Sequence, residues 1–140
     1  GTLNGVTYAA GSTASLAGVK VMVIDDSNTI RRSAEIFLKQ AGHEVLLAVD
    51  GFDALAKVHD SHPDIIFCDI LMPKLDGYQT CMLIKNNEKL AGIPLVMLSS
   101  KDGVFDMARG KMVGCGDYLT KPFTKDQLLR TIQLQMDGQT

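Results

Sequence analysis

The sequence predicts a doubly wound α/β domain with five parallel strands and five helices. From Val19 onward, short apolar runs rich in β-branched residues alternate with helical apolar stripes, and the alternation occurs five times. Strands separated in this way by helices form a parallel sheet covered on both faces. Right-handed crossovers then restrict the topology to the doubly wound class, where ligands sit beyond the carboxyl ends of the strands.

Val19 to Ile24 is the first strand, and it stops at Asp25-Asp26. Residues 27 to 41 place Ile30, Ala34, Phe37, Leu38 and Ala41 on one helical face, and Gly42 ends that helix. Val45–Val49 is the second strand; residues 51–59 form a helix through Phe52, Leu55, Ala56 and His59. Ile65–Cys68 is the third strand, followed by a helix from about Asp76 to Asn86. Pro94–Leu98 is the fourth strand, with a helix from about Val104 to Val113. The fifth strand is short, Tyr118–Leu119. A last helix spans 124–136, opened by a Thr124/Gln127 capping box and facing inward through Leu128, Leu129, Ile132 and Met136.

Size and composition narrow the function classes. At 140 residues the chain has the length of one domain, with enough sequence to bury one core. Fourteen basic against sixteen acidic residues leave a net charge of −2, without the basic stripe of a nucleic-acid module; Arg31-Arg32 reads as a solvated helix face. Three cysteines without a CxxC spacing argue against a disulfide framework and a zinc site, and Cys68 reads as a small buried hydrophobe. A reducing cytoplasm fits them. No apolar run is long enough to span a membrane. Residues 1–18 lack charged side chains and a continuous apolar core. They read as a flexible tail, native or added by cloning, before a domain over 19–136 and a short tail at 137–140. His43, His59 and His62 have no metal-ligand spacing, and Met82 reads as core or helix surface.

The strand ends carry the chemistry. Asp25-Asp26 follow the first strand, Asp69 the third, Ser99-Ser100 the fourth and Thr120-Lys121 the fifth. Three carboxylates at one sheet edge repel each other unless a cation is present, and hard oxygen ligands suit Mg²⁺. Asp69 stands apart from the acidic pair, which leaves it free to act as a nucleophile toward phosphorus. Lys121 and the metal would neutralise charge on the transferring group, and Ser99 offers a hydroxyl to a phosphoryl oxygen. Taken singly, an acidic pair after a strand is a solvated turn or cap, a lone Asp before a Pro-containing loop is an Asx-turn residue, and Lys-Pro is a common loop dipeptide. Their specificity lies in their order, each at its own strand end.

The stretches VMVIDDS, IIFCDILMPKLDGYQ, PLVMLSS and GDYLTKPF resemble the response-regulator receiver family, over nearly the whole chain from Val19 to about Met136. The resemblance implies a flavodoxin-like (β/α)5 fold with strand order 2-1-3-4-5. It implies Mg²⁺ bound by Asp25, Asp26, Asp69 and the Leu71 backbone carbonyl. Asp69 would be the phosphoacceptor, Lys121 the phosphate-contacting lysine, Ser99 and Tyr118 the switch pair, and Lys121–Pro122 a cis bond. Ser99 stands where Thr is commoner, and apolar Leu71 would border the water that hydrolyses the phosphoaspartate. More narrowly, DDSNTIRRSAE, DGFDALAKV and LDGYQTCMLIKNN are similar to twitching-motility response regulators of the type IV pilus system, the PilG type.

The expectation is therefore a stand-alone, monomeric signalling receiver rather than an enzyme. A chemotaxis-like histidine kinase or phosphotransfer domain would phosphorylate it, and a pilus or regulatory protein would read the surface of helix 4, strand 5 and helix 5. No output domain is expected around 19–136, and no binding to nucleic acid or membrane. Three rivals share parts of the pattern. A haloacid-dehalogenase-type phosphatase needs an acid/base Asp where Leu71 stands, and a flavin-binding flavodoxin needs a phosphate loop after strand one. A phosphorylation-independent pseudo-receiver lacks some of the acidic or lysine positions that are present here.

Overall fold

A computed structural model describes residues 18–101 and 105–138, together with two short strands, Thr2–Leu3 and Gly5–Val6, paired antiparallel. Most of the sequence read as a flexible tail lies outside the described residues, as does Val104. The rest follows the predicted alternation: β1 Lys20–Ile24, α1 Asn28–Gln40, β2 Glu44–Ala48, α2 Gly51–Ser61, β3 Ile65–Asp69, α3 Gly77–Lys85, β4 Leu95–Ser100, α4 Met107–Met112, β5 Asp117–Lys121 and α5 Lys125–Asp137. All neighbouring strands pair in parallel in the order β2-β1-β3-β4-β5. That is the predicted doubly wound sheet.

Strand alternation divides the core in two. Val21, Val23, Ile65, Phe67, Val96 and Leu98 pack with Ala34 and Leu38 of α1 and Leu128 and Ile132 of α5. Met22, Ile24, Ile66, Cys68 and Met97 pack on the opposite face, with Ala54, Val58, Cys81 and Ile84 of α2 and α3. Central strand β3 is buried along its whole length, as a sheet covered on both sides requires. Cys68, Cys81 and Cys115 are buried and free. Among the described residues, no helix is long and apolar enough to cross a membrane.

Three local readings need correction. The inner face of α2 is Gly51, Ala54 and Val58, while Phe52 is 54% exposed and Ala56 and His59 also face outward. Close packing decides it. A Cβ at Gly51 would collide with Thr80 Oγ1 and lie 3.0 Å from Leu75 Cβ, so α2 seats its small side there and turns the phenyl ring away. Helix α4 starts later than predicted because Asp106 caps it, its carboxylate accepting the Arg109 N–H at 3.0 Å. Strand β5 runs further, to Lys121, pairing Thr120 with Ser99 and Lys121 with Ser100.

Gly77 fixes the end of β3. Its N–H donates to the Ile70 carbonyl at 2.7 Å, and a Cβ there would lie 2.5 Å from the Asp69 carbonyl oxygen and 2.8 Å from Ile70 Cα. Those neighbours are backbone atoms that cannot rotate away. Gly77→Ala is expected to lower stability by about 1–3 kcal/mol, the usual cost of overpacking. Urea denaturation checks this, and an unchanged midpoint would contradict the close approach.

Candidate phosphoacceptor site

Each acid is placed by the end of a strand. Asp25 follows β1, with its N–H donating to the Ala48 carbonyl at 3.1 Å. One carboxylate oxygen accepts the Ser27 N–H at 2.8 Å, and Ser27 in turn caps α1 by accepting the Ile30 N–H. The Arg31 guanidinium donates to the Asp25 carbonyl at 2.7 Å and to Asn28 Oδ1 at 2.6 Å, holding the start of α1 against the acidic pair. Asp69 is the last residue of β3, opposite Leu98 of β4. One carboxylate oxygen from each of Asp25, Asp26 and Asp69 lies within 4.8 Å of the others.

Lys121 closes the cluster. Its Nζ donates to Asp25 Oδ2 at 3.0 Å and to Asp69 Oδ1 at 2.9 Å. The Lys121–Pro122 peptide bond is cis. Asp25 and Asp69 are buried, whereas Asp26 is exposed. Burial pushes the Asp69 carboxyl up from 3.8 to about 6; Asp25 and Asp26 push the same way, against Lys121. Burial alone would lower Lys121, but its two carboxylate partners outweigh that and hold the ammonium above its ordinary range.

The other candidates stand apart from this ion pair. Ser99 is buried one residue beyond the Asp69 partner Leu98, and its hydroxyl donates to the Ser100 carbonyl at 3.4 Å. Tyr118 is 49% exposed, and its ring stacks on Phe105 at 4.9 Å. The Leu71 side chain is 72% exposed. Sequence reasoning missed Arg31 as a partner of the acidic pair and Phe105 as a partner of Tyr118. Arg31 carried a usable signal, since a residue in the first turn of α1 faces back toward the strand end. Phe105 carried none, because stacking across elements has no sequence period.

Three hard carboxylate oxygens drawn together are a donor set that fits Mg²⁺. A buried carboxylate held beside an ammonium, with a serine on the adjoining strand, is chemically equipped to accept a phosphoryl group.

Comparison with known proteins identifies the family. The response regulator receiver domain family matches residues 21–133. The chain is 61% identical to protein PilG of Pseudomonas aeruginosa over 123 residues, 88% of this chain and 91% of that protein. It is 34% identical to protein PilH of the same organism over 119 residues, 85% of this chain and 98% of the relative. The Vibrio cholerae chemotaxis protein CheY4 superposes with a TM-score of 0.79 at 35% identity, covering 84% of this chain and 98% of that one. This chain belongs to the response regulator receiver family.

Proposed function

We propose that residues 19–136 form a receiver that takes a phosphoryl group onto Asp69 and signals by protein contact. The arrangement of Lys121 between Asp25 and Asp69 carries this reading. Near pH 7 a carboxyl with a pKa of about 6 is mostly ionised, so Asp69 is a competent nucleophile. One Asp69 oxygen attacks the phosphorus of a phosphohistidine on a chemotaxis-like histidine kinase or phosphotransfer domain. The P–N bond breaks, its electron pair stays on the imidazole, and solvent supplies the proton.

Asp25, Asp26, Asp69 and the Leu71 backbone carbonyl are the residues that would hold Mg²⁺. When bound, the ion supplies positive charge for the phosphoryl oxygens. Lys121 stabilises the same charge, and the Ser99 hydroxyl donates to a phosphoryl oxygen. Tyr118 then turns inward and alters the surface of α4, β5 and α5, biasing a two-state equilibrium. The setting is the cytoplasm. Similarity to PilG supports a role in type IV pilus twitching motility, with a pilus or regulatory protein reading that surface.

Intact-protein mass after incubation with acetyl phosphate is the test. One Mg²⁺-dependent phosphoryl adduct is expected, absent in Asp69→Asn. An adduct on the variant would sink the site assignment. No adduct from acetyl phosphate or from a competent kinase would favour a phosphorylation-independent interaction module.

A further inference from the structure

Away from the acids, three rings form one stacked column. Phe105, immediately before α4, stacks on Tyr118 of β5 with centroids 4.9 Å apart and planes 22° apart. It also stacks on Tyr78 of α3, at 6.2 Å and 25°. Tyr78 is buried and held at its hydroxyl and over its ring face. Its hydroxyl accepts the Asp106 N–H at 2.8 Å, and the Arg109 guanidinium lies 4.5 Å above its ring. Arg109 also pairs with Asp76, the N-cap of α3, at 3.3 Å. On the α4 side, a Cβ at Gly110 would lie 2.7 Å from Phe105 Cζ, so the missing side chain is what admits the ring.

Phe105 is therefore positioned from α3 and from α4 before Tyr118 touches it. Both rings also line a cavity of about 290 Å³ whose wall includes Ser99, Lys101 and Met107. Tyr118 thus borders space on the Ser99 side, yet its ring lies half-exposed against Phe105.

We infer that Phe105 is a latch that holds Tyr118 outward, so that the Asp76–Arg109–Tyr78 clamp sets how readily Tyr118 enters the cavity beside Ser99. This rests on the reading of Ser99 and Tyr118 as the switch pair. A stack made in one of two states favours that state by its own strength, and an aromatic pair of this kind shifts a population about two- to ten-fold. The exposed Arg109–Asp76 ion pair adds little by itself. Its part is to keep the Tyr78 ring, and through it Phe105, in register with β5.

The test uses the full chain without a phosphodonor, with ring-labelled tyrosine followed by NMR and the Tyr118 signals assigned by loss in Tyr118→Phe. In Phe105→Leu, the fraction of Tyr118 rings showing contacts to Ser99 is expected to rise about two- to ten-fold. Phe105→Tyr, which restores a ring, should return that fraction to the wild-type value. An amide fingerprint like the wild type's verifies that each variant is folded. A Tyr118 distribution unchanged in folded Phe105→Leu would overturn the proposal, even if the variant were less stable. A failed receiver reading would show separately, as a wild-type ring indifferent to acetyl phosphate and Mg²⁺.

Discussion

Asp69→Asn is expected to raise the stability of the fold at pH 7 by about 2–3 kcal/mol when measured in EDTA, and to lose that advantage below about pH 4. The folded state raises the Asp69 pKa from 3.8 to about 6, chiefly by burial and then by Asp25. Between those values the folded protein keeps a proton that the unfolded chain has lost. Stability therefore falls as pH rises through the window, and the whole penalty is in place above it. At about 1.4 kcal/mol per unit, the shift is worth about 3 kcal/mol. Asparagine retains an oxygen to accept from Lys121 and carries no charge to desolvate. Urea denaturation of both proteins at pH 4, 5, 6 and 7 reads the difference. Curves that run parallel across that range would show that Asp69 is not held against its charge.

The residues of the site were legible because each stands at the end of an apolar run. Asp25-Asp26, Asp69, Ser99 and Lys121 are polar breaks in strand patterns, and a parallel sheet collects such breaks at one edge. The five-strand alternation was accessible by the same route, whereas the 2-1-3-4-5 order was implied by the family resemblance. What the pattern hid was the choice of face on short helices. In α2, Phe52 is the largest apolar residue and the natural candidate for the core, but the approach of Thr80 and Leu75 to Gly51 decides the rotation. Such a contact joins residues about thirty positions apart and depends on a missing side chain. The ring column of Tyr78, Phe105 and Tyr118 was hidden for a related reason. Aromatics on a helix, a loop and a strand carry no signal until the sheet register and the start of α4 align them.

Lys121→Met should act in the opposite direction to Asp69→Asn. Lys121 is the cation between two buried carboxylates, and methionine keeps the apolar stem while removing the ammonium. Removing one partner of a buried ion pair costs about 3–5 kcal/mol, because the remaining charge is stranded. The variant has an escape through protonation, since the Asp69 carboxyl is already raised and rises further without its cation. The loss relative to wild type is thus expected to be large at pH 8, to shrink as pH falls toward about 6, and to level off below it. Mg²⁺ should restore part of it by supplying the missing positive charge. The double variant with Asp69→Asn separates charge from packing. With one carboxylate neutralised, the lysine has less charge to balance, and the double variant should lose about 1–3 kcal/mol less than the two single effects predict. Strict additivity in urea denaturation at pH 8 would mean that the Lys121 ammonium does not stabilise the fold through Asp69. Any remaining cost of Lys121→Met would then come from its other partner, Asp25.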